Sequence, residues 1–239
     1  MTLSTCFRRF EPPTRTVTIY APQPQPDVVD WFQTGVDAVD YRSLPDETAA
    51  SQSFFSIHED ETFVAAVSLE SAREFLEPPI YEPWTDAFDD ATYRRLIDVF
   101  ESTVWRSLER RQLLAVSREI ETRAWNVGSG TLRVGFQHSS AFEAMAPVYA
   151  RLAAETALDI HVYIVDDWDG ASIPGVTIHT NGGDEIGSFW VLAFDGDGDP
   201  LRTSGLIARE RSSGEFDGLW TDETQFVARL ERALRVAGE

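Results

Sequence analysis

The sequence predicts an α/β fold in which two similar β-α-β-hairpin-α units, each with a mixed sheet, are joined by a long amphipathic helix. Three patterns lead to this prediction. Short apolar runs alternate with segments of helical periodicity, the same order occurs twice, and the stretch between the copies carries apolar residues at helical spacing. A chain of 239 residues is long enough for one or two domains. We expect an N-terminal unit over 1–83, a connector over 84–125 and a C-terminal unit over 126–239.

The first unit begins with a strand and ends with a helix that follows a hairpin. The predicted hairpin turns at His58 to Glu61, where the residues are mostly charged. In order, the predicted elements are a strand over 16–20, a helix over 26–33, a strand over 39–44, hairpin strands over 53–57 and 62–68, and a helix over 69–76.

The second unit has the same order of elements with one short strand added. Ser140 and Glu143 fit a capping box that opens its first helix, while Pro147 should kink that helix or mark its true start. The apolar run over 189–194 is typical of a central strand covered on both faces. In order, the predicted elements are a strand over 131–137, a helix over 141–155, strands over 160–165 and 176–179, paired strands over 187–194 and 203–209, and a helix over 222–234.

The repeated order indicates an internal duplication, although βαβ units are common enough for coincidence to remain an alternative. Between the copies, 89–125 is predicted to be one long helix, with a break near Val116 as a variant. Its charges nearly balance, and two alternatives stay open: the helix packs across both sheets of its own chain, or a second subunit shares it in a homodimer. The apolar stripe of this helix contains Tyr93, Leu96, Ile97, Phe100, Val104 and Leu108.

The charge composition is extreme. Forty acidic residues face twenty basic ones, every basic residue is arginine, and the net charge is −20. Such a charge destabilises a compact chain by self-repulsion unless salt screens it, which predicts a salt-rich cytoplasm. An organism with GC-rich codons is the alternative explanation for the missing lysine. A single cysteine, Cys6, suggests a reducing compartment, and no apolar run could serve as a membrane span or a secretion signal.

Five spaced blocks stand out along the second half of the chain. They are VWRSLERRQLLAVSREIETR at 104–123, GTLRVGFQ at 130–137, LDIHVY at 158–163, GSFWVLAF at 187–194 and FDGLWTDE at 216–223. Together these blocks resemble the DICT sensory domain, a module that usually stands beside signalling output domains. The resemblance extends over about 103–235, and residues 16–83 resemble the N-terminal segment of stand-alone DICT proteins of halophilic archaea. It implies a sensory function, and because no kinase, cyclase or helix-turn-helix pattern accompanies the blocks, it implies output through contact with a signalling protein.

Ligands of open α/β sheets bind beyond the carboxyl ends of strands, which here favours the ends of two predicted parallel strands. Side-chain alternation places Arg133 and Gln137 on one face of the first strand, and His161 and Tyr163 on one face of the second. We expect Gln137, His161 and Trp168 to line one cavity. The alternative is that His161 and Tyr163 are core residues with satisfied hydrogen bonds.

A polar run ahead of the first strand of the DICT-like part supplies two further candidate ligand-binding residues. Arg118 could clamp an anionic or planar ligand while Glu121 orients it, or the two could form a buried ion pair that ties the helix to the sheet. Trp168, Trp190 and Trp220 could build a flat aromatic pocket or simply pack the core.

Other motifs fail. The run DGDGDP resembles a calcium loop but has Pro200 where glycine is required, and Gly128 and Gly130 precede a strand where a phosphate loop would follow one. The four histidines show no metal spacing, no nucleophile elbow is present, and the acidic surface disfavours nucleic acid. We therefore predict no catalytic residues, no metal site and no identified cofactor.

The function predicted from these observations is a cytoplasmic sensing module that binds a small molecule or a protein partner and passes on a conformational change. Two alternatives belong to other classes. One is a scaffold that binds no small molecule, and the other is an enzyme that uses Arg118, Glu121 and His161.

Overall fold

The computed structural model describes residues 1–45, 53–85, 92–180 and 182–238, and for 92–95 it describes the backbone only. The first part of the chain forms a four-stranded sheet and three helices, the first of which packs on the second sheet described below. Its elements are α1 (Leu3–Arg8), β1 (Arg15–Ala21), α2 (Pro26–Phe32), β2 (Ala38–Ser43), β3 (Phe54–Glu59), β4 (Thr62–Ser68) and α3 (Leu69–Leu76).

The remainder of the chain forms a seven-stranded sheet and five more helices within the described residues. Its elements are α4 (Thr92–Val99), β5 (Trp105–Glu109), α5 (Arg110–Val127), β6 (Ser129–Phe136), α6 (Ser139–Glu155), β7 (Ala157–Ile164), β8 (Val176–His179), α7 (Gly183–Gly187), β9 (Phe189–Phe194), β10 (Ser204–Ser212), β11 (Glu215–Thr221) and α8 (Thr224–Ala237).

The two sheets share one topology. In the first, the strand order is β2-β1-β3-β4, with β1 and β2 parallel and the other neighbours antiparallel. In the second, β7-β6-β9-β10 has the same order and the same directions, and it is extended by β8 at one side and by β11 and β5 at the other. The predicted pair of similar mixed-sheet units is therefore confirmed, including the predicted pairing of the strands on either side of the DGDGDP run.

The connector differs from the single long helix that the sequence pattern predicts. The strand β5 interrupts it and pairs with β11 at the edge of the second sheet. The backbone of Ser102 and Ser107 is left-handed, with φ of 59° and 67°, and a continuous α-helix cannot contain such residues. The predicted helix start at 89 lies outside the described residues.

The helix α5 begins and ends with recognisable caps. Glu109 and Gln112 form a capping box at its start, where the Glu109 backbone N–H donates to Gln112 Oε1 at 3.0 Å. Gly128 ends it in the left-handed conformation with φ of 74°. For α6 the predicted capping box is wrong: the helix begins at Ser139 after the N-cap residue His138, with no side-chain cap, and it continues through Pro147.

The second sheet is covered on both faces, which is why β9 is apolar throughout. The first face carries Leu132, Val134 and Phe136 of β6, and these residues share one core with α5, α6 and the first sheet. The second face carries Tyr163 and Val191, which pack with α8 and α1.

The apolar stripe of the predicted connector lies inside the chain's own core. Leu96, Ile97, Phe100 and Leu108 are buried, and the Phe100 ring packs against Trp105 with centroids 5.2 Å apart. The structure therefore shows the first of the two alternatives for this stripe, packing within its own chain. The stripe residues just named are too deeply buried to contact a second subunit. Tyr93 has no described side chain. Among the described residues, no helix is long and apolar enough to cross a membrane.

Candidate functional site

A cavity of about 240 Å³ opens at the carboxyl end of β6, on the first face of the second sheet. We call it the β6 cavity. It lies between the N-terminal parts of α5 and α6 and borders β9. Its lining residues are Arg110 and Leu114 from α5, Gly135 to His138 from the end of β6, Ala141, Ala144 and Met145 from α6, and Trp190 from β9.

Trp190 forms one wall of the cavity, and its position follows from strand alternation. Its neighbours Phe189 and Val191 point to the second face, so the Trp190 ring points toward α5. The ring is fixed by a hydrogen bond from its Nε1 to Ser117 Oγ at 3.1 Å. The Arg110 guanidinium lies at the same wall, with its Cζ 5.8 Å from the Trp190 ring centroid.

Behind Met145, a buried charged network joins α5 to α6. Arg118 forms a salt bridge with Glu121, both side chains are almost fully buried, and the Tyr149 hydroxyl donates to the other Glu121 oxygen at 2.6 Å. Arg118 Nη2 also lies 3.6 Å from the Met145 sulfur, so the network touches the cavity lining. Burial raises the pKa of Tyr149 well above its usual value, and Glu121 raises it further, so the hydroxyl stays protonated.

The same helix is tied to its surroundings at its other end. Arg123 donates to Asp222 at 2.5 Å, just before α8, and also lies 3.3 Å from Glu119 and 3.7 Å from Asp98 of α4. Thus α5 carries the cavity near its start and an ion-pair cluster near its end.

A second polar cluster occupies the opposite face of the sheet. Arg133 donates to the Tyr163 hydroxyl at 2.6 Å, and the Tyr163 ring stacks on His179 with centroids 4.4 Å apart. His161 Nδ1 lies 3.0 Å from His179 Nε2, and its Nε2 lies 3.0 Å from Asp159 Oδ2. Burial lowers the pKa of His179, and His161 lowers it further, which keeps the imidazole neutral and able to share one proton with its neighbour.

The structure separates the residues that were expected to share one cavity. Gln137 lines the β6 cavity, whereas His161 lies on the opposite face of the sheet. Trp168 packs against Phe142, with ring centroids 4.8 Å apart, and does not line the cavity. The single cavity of Gln137, His161 and Trp168 is therefore not formed. The strands end at Phe136 and Ile164, so strand alternation does not fix the side chains of Gln137 and Trp168, which lie beyond these ends.

Other predicted groupings have mixed outcomes. Arg133, His161 and Tyr163 do lie on one face, but Gln137 is not with them. Arg118 and Glu121 form the buried ion pair that was one of their two alternatives, and they do not meet His161, so the grouping required by the enzyme alternative is absent. Among the three tryptophans, Trp190 lines the cavity and Trp220 is a core residue whose Nε1 donates to the Ile97 carbonyl at 2.8 Å.

Sequence reasoning missed several residues of these clusters, among them Arg110, Tyr149 and His179. Tyr149 lies on the buried face of α6 among apolar residues, where the sequence gives no sign that its hydroxyl has a charged partner. His179 lies in the predicted strand over 176–179. Strand alternation could therefore have placed its side chain on the same face as His161 of the neighbouring parallel strand. Within the described residues, no three His, Cys, Asp or Glu side chains converge to hold a metal ion.

Comparison with known proteins assigns a family to this part of the chain. Residues 95–211 match DICT, described as the sensory domain in diguanylate cyclases and two-component systems. The matched segment begins within α4, ends within β10 and contains every residue that lines the β6 cavity. No curated protein and no solved structure gives a significant match to the chain. The DICT resemblance predicted from the sequence blocks is confirmed by this match over residues 95–211 of the chain.

Proposed function

We propose that the chain is a cytoplasmic sensory module that binds a small molecule in the β6 cavity, has no catalytic activity, and passes a conformational change to a signalling protein. The observation that carries the proposal is the cavity itself. It lies inside the DICT segment, at the carboxyl end of a strand with a parallel and an antiparallel neighbour, and its walls are mostly apolar with a few polar groups. Small-molecule sites have this form and this place in α/β sheets.

Two contacts link the cavity to the rest of the domain. The Trp190 wall is hydrogen-bonded to Ser117, and Met145 touches Arg118 of the buried network. A ligand that moves either wall therefore acts on α5, and through Tyr149 the same helix is bonded to α6. Coupling of this kind requires that the ligand bind two arrangements of these helices with different affinity.

The scaffold alternative is favoured by a different observation. Among the described strands, β4 lies at the edge of the first sheet, and its Phe63 and Val64 are 60% and 41% exposed. Residues 62–68 carry no charge in a chain of net charge −20. An exposed, uncharged edge strand can accept a further strand from a partner protein. In the sensory proposal, the same strand serves as a contact for the signalling partner.

A cavity-filling variant tests the sensory proposal against the scaffold alternative. Ala144→Phe places a ring in the β6 cavity from a partly open position on α6, and Ala154→Phe makes the same change at an exposed position of that helix outside the cavity. We expect small-molecule extracts of the host to raise the melting temperature of the wild type and of Ala154→Phe but not of Ala144→Phe. If no extract stabilises the wild type, or if Ala144→Phe responds equally, the β6 cavity is not a sensory site.

A further inference from the structure

We propose that the β6 cavity takes a small organic anion, a carboxylate on a single-ring or branched apolar body, and that Arg110 selects for its charge. This inference rests on the proposed function, because it names the class of molecule that the sensory cavity holds.

The first argument is the charge of the lining. Arg110 is the one permanently charged side chain among the lining residues, and none of them is acidic. In the whole chain, acids outnumber basic residues forty to twenty. The open cleft beside Arg15 shows the usual pattern of this surface, since Glu59, Asp60, Asp98 and Glu101 are among its lining residues. The β6 cavity is therefore an exception with a net positive lining.

The second argument is that the Arg110 guanidinium is available to a ligand. The residue is exposed, and among the described residues it forms no ion pair; its guanidinium lies over the face of Trp190. Arg118, the other arginine near the cavity, has its charge matched by Glu121 behind Met145. A guanidinium with unused donors binds a carboxylate through two parallel hydrogen bonds.

Helix α6 contributes less than its position suggests. Its N-terminus borders the cavity, but Asp166 already accepts from the Ser139 backbone N–H at 3.0 Å and from the Ser139 hydroxyl at 2.8 Å. Asp166 thus already compensates the partial positive charge at the N-terminus of α6. Asp166 does not line the cavity, so the ligand's charge has to be met by Arg110.

The walls define the body of the ligand. Leu114, Phe136, Met145 and Trp190 are apolar, and Gln137 provides an amide that can donate or accept one hydrogen bond. A volume of about 240 Å³ corresponds to about eight water molecules at roughly 30 Å³ each, which suits a single ring with a short side chain. The flat Trp190 ring favours a planar body.

The ionic strength determines how strongly the net charge of the whole chain affects anion binding in the β6 cavity. At low ionic strength the net charge of −20 repels anions over a Debye length of about 10 Å or more, which opposes Arg110. Near molar salt the Debye length is about 3 Å, so distant acids are screened and contacts inside the cavity dominate. Anion selectivity should therefore be measured in molar KCl.

The test uses pairs of ligands that differ only in charge: benzoate with benzamide, phenylacetate with phenylacetamide, and isovalerate with isovaleramide. Binding to the full chain is measured by calorimetry in molar KCl. We expect at least one carboxylate to bind about two- to fivefold more tightly than its amide, the range set by one solvent-exposed ion pair. Arg110→Gln should remove this difference, and the matched control Arg211→Gln, at another exposed arginine, should keep it.

Each outcome bears on one of the two proposals. If the amides bind as tightly as the carboxylates, or if Arg110→Gln keeps the difference, the anion inference is wrong, while the sensory cavity stands. If no pair binds but host extracts stabilise the wild type and not Ala144→Phe, the ligand class is wrong and the cavity again stands. If neither the pairs nor the extracts bind, both proposals fail.

Discussion

Removal of one hydroxyl from the buried network tests whether the network holds α5 against α6. In Tyr149→Phe, the hydrogen bond from the Tyr149 hydroxyl to Glu121 Oε1, which measures 2.6 Å, is lost. Both residues are 1% exposed, so water cannot replace the missing donor. A hydrogen bond to a charged group contributes about 1.5 to 3 kcal/mol, and for a chain of this size each kcal/mol shifts the melting temperature by about 2 to 4 °C. We expect a fall of about 3 to 12 °C.

The matched control is Tyr41→Phe, in which a half-buried tyrosine loses a hydrogen bond of 2.7 Å to the neutral carbonyl of Ala21. A neutral hydrogen bond contributes about 0.5 to 1.5 kcal/mol, so its loss should cost less. Both variants are measured by thermal unfolding in molar KCl, together with Glu121→Gln and its combination with Tyr149→Phe. If Tyr149→Phe is no more destabilising than Tyr41→Phe, or the double mutant is strictly additive, the network does not contribute as described.

Three further predictions concern pH, packing and salt. Because burial lowers the pKa of His179 below its usual 6.5, the unfolded chain takes up the proton first; stability from this group is complete above about pH 6.5 and is lost as the pH falls toward the folded pKa. In denaturant titrations between pH 8 and 5, His179→Gln should flatten that dependence, and an unchanged dependence would contradict this assignment. Ile97→Glu places a carboxylate in a core site that is 2% exposed and should cost at least about 2 to 5 kcal/mol of unfolding free energy. The fraction of the variant that stays folded should have the same sedimentation coefficient as the wild type, and a folded variant of unchanged stability would contradict this packing. Lowering KCl from molar to tenths of molar should lower the melting temperature because −20 charges lose their screening, and a constant melting temperature would contradict the predicted salt dependence.

Most strands were predictable because their residues alternate and because turns separate them. The predicted short strand over 176–179 coincides with β8, and the predicted helix over 69–76 coincides with α3. The strand β5 was not predictable in this way. Phe100, Val104 and Leu108 continue the four-residue spacing of the preceding helix, and the residues that break it, Ser102 and Ser107, are serines in a left-handed conformation that serine rarely adopts.

The site was only partly predictable, for a related reason. Pattern and alternation give the face on which a residue lies, so Arg133 and Tyr163 were placed together correctly. They do not give which helix covers that face. The β6 cavity depends on the packing of α5 and α6 over one side of the sheet, and Arg110 reaches it only because β5 ends at Glu109 and the helix begins there. The missed strand and the missed arginine are thus one error.

The ties along α5 have a mechanical consequence. Eighteen residues at 1.5 Å each make a rod of about 27 Å, bonded to β9 through Ser117, to α6 through Glu121 and to Asp222 through Arg123. Bonds at three points along its length resist bending of α5, so under the proposed sensory function a displacement of its first turn is passed toward its far end. Asp222 leads directly into α8, which covers the other face of the sheet. A displacement of α5 on one face of the sheet would therefore be passed to α8 on the other face through the segment that follows β11. No strand would have to separate from its neighbour.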